Sequence, residues 1–150
     1  MNYSVLPYSR ERGSAMSKSR IRKQRGTGLV EAAVTLPVLL TMLFGIMDFG
    51  RALFAYNDIT YAAREGTRFA MVHGSTSQHA ASATDVQSIV SNYTDGLDPN
   101  ALSVITTWSP DNKPGSNVTV QVQYTFTPMT PFFSTMPIAL GASSQMMIAQ

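Results

Sequence analysis

Between Thr27 and Met47 only one side chain, Glu31, is ionisable. This run restricts the fold more than any other feature of the chain. As a helix it would be about 31 Å long, the thickness of a bilayer's hydrocarbon core. A secretory signal peptide is a poorer match, because its apolar core is about 7–15 residues long and ends in a small-residue cleavage site. Here the small pair Ala32 and Ala33 lies at the opposite end of the run. A buried helix of a soluble domain is also poor, since nothing else in the chain is apolar enough to surround it. The run reads as a membrane span over residues 27–47.

The flanks orient it. Residues 1–25 hold seven bases (Arg10, Arg12, Lys18, Arg20, Arg22, Lys23 and Arg25) against one acid, Glu11. The other residues hold four bases and eight acids, so the net charge of +2 belongs to the leader and the body is mildly acidic. Asp48 and Arg51 roughly cancel just beyond the span. Basic residues before a span stay cytoplasmic, which places everything from about Asp48 on the far side of the membrane. A nucleic-acid arm is the competing reading of residues 18–25. A basic cluster directly before a span is far more often a topology anchor on anionic headgroups, and no nucleic-acid partner is expected.

Two residues within the run need a reason. Pro37 would cost about 3 kcal/mol in a soluble helix, but membrane helices tolerate proline where hydroxyls serve the freed carbonyl. Thr35 and Thr41 are close by, and a loosened turn over residues 34–38 is expected. Glu31 at the centre of a bilayer would cost about 2.5–3.5 kcal/mol, less near its edge. The simple reading is that it reaches interfacial water. The sharper one starts from Gly26. A cut between Gly26 and Thr27 would leave an ammonium on Thr27 and a carboxylate one helical turn later. In packed helices the ammonium of one subunit can meet the carboxylate of another, and such a pair in apolar surroundings sets axial register more than it adds stability.

The order of basic leader, glycine, glutamate five residues on and proline-bearing apolar helix resembles type IV pilin-like precursors. The continuation is more specific. The V-E-A-A run at residues 30–33, Leu36-Pro37, F-G-R at 49–51 and A-A-R-E-G-T-R at 62–68 make residues 28–70 resemble the TadE-like pseudopilins of the tight-adherence (Flp pilus) secretion apparatus. That resemblance implies processing by a prepilin peptidase, an inner-membrane aspartate peptidase, at Gly26–Thr27. It also implies partners among other pilin or pseudopilin subunits and inner-membrane pilus assembly proteins, with the body of the chain in the periplasm. Ala32 stands where family processing sites often carry an aromatic residue. Initiation at Met16 would give the more usual leader MSKSRIRKQRG.

The helical pattern continues past the span to about residue 74. Leu53, Tyr56, Thr60 and Ala63 suggest one packed face. Ala62, Gly66 and Ala70, spaced by four, form a small-residue stripe that admits close packing. Arg64 and Arg68 read as a solvated or paired face in preference to a partner-binding ridge. After a loop at 74–78, Val86, Ile89, Val90 and Tyr93 predict a second helix beginning at Ser82 or Thr84. The last third changes period. Leu102, Val104, Thr106 and Trp108 suggest a two-sided strand. Val118 to Phe126 alternates cleanly, and residues 138–149 suggest a third strand. An apolar loop between Pro128 and Pro137 carries Phe132 and Phe133, either exposed or tucked under the sheet. The expected fold is α+β: a long N-terminal transmembrane helix running into a small periplasmic head, residues 75–150, with a second helix and a three-stranded antiparallel sheet.

No chemistry is legible. Cysteine is absent, His73 and His79 lack metal-ligand spacing, and no phosphate loop or nucleophile elbow occurs. No catalytic residue, metal or cofactor is expected. A processed assembly subunit, in the role of a minor component that primes or caps the fibre, is the first reading. An uncleaved single-span protein with a partner-binding periplasmic domain is the second, and an anchored enzyme has no residues behind it.

Overall fold

The computed structural model describes Met1, residues 17–130 and residues 135–149, with side chains from Gly26 onward. Its architecture is the expected α+β. Helix α1 spans Ser17–Val72 and helix α2 spans Ala83–Asn92; strands β1 (Leu102–Ser109), β2 (Asn117–Phe126) and β3 (Ile138–Met147) form one antiparallel sheet in the order β1-β2-β3. A short 3-10 turn at Pro99–Ala101, with Asp98 accepting from the Asn100 N–H at 2.9 Å, precedes β1. Arg10, Arg12, Met16, Phe132 and Phe133 lie outside the described residues. The chain divides into two compact units, Met1–Thr41 and Met42–Gln150.

In the first unit the helix passes through Pro37 without a break. The two threonines do not serve the carbonyl that Pro37 deprives of a donor, that of Ala33. Thr35 Oγ1 donates to the Glu31 carbonyl and Thr41 Oγ1 to the Pro37 carbonyl, each at 2.8 Å. Both are the back-bonds a helical threonine makes one turn toward its N-terminus, so each hydroxyl reaches residue i−4 and neither reaches Ala33.

In the second unit the face of α1 turned to the core is Ala55, Ile59, Ala62, Ala63, Gly66, Thr67 and Ala70, each nearly or fully buried. This corrects the expected Leu53–Tyr56–Thr60–Ala63 face. Leu53 and Tyr56 remain 47% and 46% exposed, and only Ala63 of that set is buried. The reason is steric: apart from Ile59 the inward side chains are small, which lets the helix lie close against its neighbours. At Gly66 the approach is closest. A Cβ there would stand 2.8 Å from Val90 Cγ2, 3.3 Å from Val86 Cγ1 and 3.6 Å from Val120 Cγ1. One glycine thus seats α1 against both α2 and the middle strand. Thr67 Oγ1 lies on the same face, 2.6 Å from the Ala63 carbonyl and 3.3 Å from that of Ser144 in β3.

The remaining elements follow local rules. Ser82 caps α2 through a reciprocal capping box, accepting from the Asp85 N–H at 3.2 Å while the Asp85 carboxylate accepts from the Ser82 N–H at 2.9 Å. Such a pair satisfies two helix-end donors at once. In β2, Val118, Val120 and Val122 are fully buried, whereas Gln121 and Gln123 on the other face are exposed. β1 is a half-covered edge, and Ile105 on its outer face is 49% exposed. β3 ends at Met147, two residues earlier than expected. Ile148 is nonetheless buried, and it donates to the Ser116 carbonyl at 2.8 Å and accepts from the Gly115 N–H at 3.0 Å.

Gly66→Ala sets two effects against each other. Alanine gains about 1 kcal/mol of helix propensity, whereas overpacking a rigid core costs about 1–3 kcal/mol. Valine is stiff at χ1, so Val90 yields poorly and the clash dominates. The expected result is a lower melting temperature of the detergent-solubilised chain, followed by near-UV circular dichroism of Trp108. The cost of Gly66→Ala should shrink in a Val90→Ala background.

Candidate functional site

A helix that is apolar on every side is stable only inside other apolar material. From Leu29 to Met47, α1 carries twelve large hydrophobic side chains, each between 41% and 72% exposed. An apolar window of mean hydropathy 2.1 within Gly26–Val72 is not covered at all by the rest of the chain. At about 1.5–3 kcal/mol per fully buried side chain, and with roughly half of each surface still open, the uncovered run is worth on the order of 10–20 kcal/mol. That rivals the entire stability of a typical domain, about 5–15 kcal/mol. An apolar environment, such as a bilayer or a bundle of like helices, would offset that cost.

Gly26, Thr27, Glu31 and Pro37 all lie exposed on this helix. Thr27 and Glu31 are one turn apart, the spacing at which helical side chains share a face. Gly26 stands in open space, with nothing within 4 Å of a Cβ placed there. It sits in a helical stretch where alanine would be better by about 1 kcal/mol. Among the described residues neither packing nor backbone geometry accounts for a glycine at position 26. Ala62, Gly66 and Ala70, by contrast, are turned into the chain's own core.

Where the apolar run ends, the structure brings together residues that the sequence separates widely. Asp48 is 9% exposed and is the one buried charged residue among those described. Its carboxylate accepts from the Met129 N–H at 3.0 Å, the Thr130 N–H at 2.9 Å and the Thr130 hydroxyl. Arg51 Nη1 adds a fourth donor at 3.2 Å, and the Arg51 guanidinium lies 5.3 Å from the centre of the Phe126 ring. Thr130 is itself only 3% exposed. The Thr130 hydroxyl and the Met129 N–H hold the Asp48 carboxyl down at about 2, against 3.8 ordinarily. Hydrogen bonds to the charged form have this effect. The i, i+3 spacing of Asp48 and Arg51 is a signal for their pair but not for the clasp, because Thr130 lies 82 positions away and no pattern links the two.

The other charged groups are local. Arg68 meets Glu65 at 3.9 Å and Arg64 is exposed. The ring of His73 stacks on Phe69 with centroids 4.2 Å apart, and its Nδ1 is 2.9 Å from the Phe69 carbonyl. Asp111 accepts from the Ser116 hydroxyl at 2.6 Å and the Lys113 N–H at 3.2 Å, organising the β1–β2 turn. Among the described residues no group of three or more His, Cys, Asp or Glu is placed to hold a metal ion.

The model of the TadE-like protein family matches residues 26–68. The match begins at Gly26 and takes in Glu31, Pro37, Asp48 and Gly66, covering less than a third of the chain. It is the family that the motifs of residues 28–70 resemble. No curated protein and no solved structure is significantly similar to the chain.

Because the pKa of Asp48 is depressed on folding, the clasp's contribution is complete above the unfolded value near 4. It is lost as pH falls toward about 2. Asp85 and Asp111, also lowered by hydrogen bonds from Ser82 and Ser116, act in the same direction. Asp48→Asn is expected to lower the melting temperature at neutral pH and to flatten, without abolishing, the loss of stability on acidification. Thermal melts of both proteins across that range measure this.

Proposed function

We propose that the chain is a single-span, pilus-associated structural subunit of the TadE-like kind. In this reading it is inserted with its basic leader cytoplasmic and residues 48–150 periplasmic, and matured by a prepilin peptidase at Gly26–Thr27. The observation that carries the reading is that the family match to residues 26–68 overlies the apolar run of α1 that the described residues leave uncovered. Membership in a pilus assembly is supported by the match, and the span by a surface that water solvates poorly. Neither line of support points to catalysis, and no cofactor enters the reading.

The division of labour follows from the chemistry. Residues 1–26 would serve as topology anchor and processing signal, and residues 27–47 as the span. Residues 48–74 would form the stem under the head made by residues 75–150. After cleavage, the new ammonium on Thr27 and the Glu31 carboxylate of a neighbouring subunit would pair. That pair would be costly to leave half-made in an apolar bundle, so a subunit out of axial register would be rejected. Partners in this scheme are the peptidase, other pilin or pseudopilin subunits and inner-membrane assembly proteins.

Intact mass of the membrane form is the direct test, with loss of the first 26 residues expected. Gly26→Ala is expected to slow or block cleavage, and among the described residues nothing packs on Gly26 that would offer another route to failure. Glu31→Ala is expected to be processed normally and to assemble poorly, read as subunits recovered in sheared fibres or crosslinked complexes. A full-length chain that assembles with its leader attached would favour an uncleaved, membrane-anchored binding protein instead.

A further inference from the structure

The Asp48 clasp holds the segment after β2 against α1, and beside it lies a cleft of about 420 Å³. Gly45, Phe49, Ala52, Phe126, Pro128, Met136 and Ile138 supply its apolar walls. Its polar members, Asp48 and Thr130, are hydrogen-bonded to each other. Its walls are open and apolar at Phe49 and Met136, 65% and 66% exposed, and Met129, between the lining residues Pro128 and Thr130, is 70% exposed. From Pro114 to the end of the chain there is no Asp, Glu, Lys, Arg or His.

We propose that this face rests in the headgroup–acyl boundary of the bilayer, so that Met129 and Met136 form a second, shallow membrane contact beside the span. The inference rests on the reading of residues 27–47 as a membrane span. Depth is what selects lipid as the occupant. Gly45 lines the cleft and belongs to the apolar run, and Phe49 and Ala52 lie within two turns of it. Whatever faces the same cleft from the other side therefore stands within about 10 Å of the end of the span along the helix axis, at 1.5 Å per residue. An apolar face at that level enters the region where interfacial segments bury their apolar side by about 5–10 Å. The clasp makes the contact possible. The backbone N–H groups of Met129 and Thr130 would be costly to desolvate unpaired, and both are already bound to Asp48. The Asp48 charge, in turn, is met by four donors.

Fluorescence quenching tests this on the full chain in phosphatidylcholine–phosphatidylglycerol vesicles. Trp108, the single tryptophan, is replaced by phenylalanine, and one reporter at a time is introduced by Met129→Trp or Met136→Trp. Phe44→Trp marks the span and Ser103→Trp an exposed position on β1. Lipids brominated near the headgroup are expected to quench the reporters at 129 and 136 about twofold or more, as befits a depth of about 5–10 Å, with weak quenching by aqueous iodide. Ser103→Trp should show the reverse. If both methionine reporters are as open to iodide as Ser103→Trp while Phe44→Trp is quenched by lipid, the inference falls and the span stands. If Phe44→Trp also escapes lipid quenching, the span reading falls and takes the inference with it. Iodide protection that grows with protein-to-lipid ratio, without bromine quenching, would assign the face to a second copy and overturn the lipid contact. Combining Asp48→Asn with Met129→Trp should lose the lipid quenching while Phe44→Trp in the same background keeps it.

Discussion

Helix α1 has to satisfy two kinds of neighbour with one continuous backbone. Up to Met47 its side chains are bulky and uncovered, so free energy is lowered by contact with anything apolar, and no shape is demanded of the partner. Beyond Asp48 the inward face is alanine, glycine and one threonine around a single large residue, Ile59, and the demand is the opposite: little apolar area per residue, but a close and specific fit. Only the second kind of surface can be completed by the chain itself. The head therefore folds around the part of α1 beyond Asp48, and in the proposed function the apolar run before it is left for a bilayer or for other subunits.

Asp48 stands at the change from one regime to the other. A carboxylate at the edge of an apolar segment would ordinarily need water. Here the donors come from the segment after β2, so the residue that ends the apolar run also anchors a distant loop. The same four donors that hold its proton affinity down make the charge cheap to keep in a poorly solvated place. Glu31 differs in this respect. It is exposed on a helix whose surroundings are apolar side chains, and in the proposed assembly its partner is another molecule. One acid has been satisfied within the chain, and the other is suited to act between chains.

The head gives the fold its asymmetry. β2 is sheltered on the face bearing Val118, Val120 and Val122, while β1 offers an exposed isoleucine. Gly66 concentrates the packing of three elements at one point, which ties the register of α1 to α2 and to the sheet. A small domain held by so few large side chains depends on how closely they approach.

Much of this was legible without coordinates, because local periodicity and local hydrogen-bonding chemistry write themselves into short stretches of sequence. The apolar run, the alternation of β2, the Ser82 start of α2 and the α+β class all follow from patterns within about ten residues of one another. The family of residues 26–68 was legible in the same way, from V-E-A-A to A-A-R-E-G-T-R. Tertiary structure alone decided three things. It chose the alanine–glycine face of α1 over the larger Leu53 and Tyr56, because closeness of approach and not side-chain size governed that contact. It placed Gly66 among Val86, Val90 and Val120, while among the described residues nothing approaches Gly26, though the two are the same residue in the sequence. Finally, it brought Thr130 to Asp48 across 82 positions. Such pairings carry no periodic signature: they depend on where the chain returns after the sheet is built, which no local preference specifies.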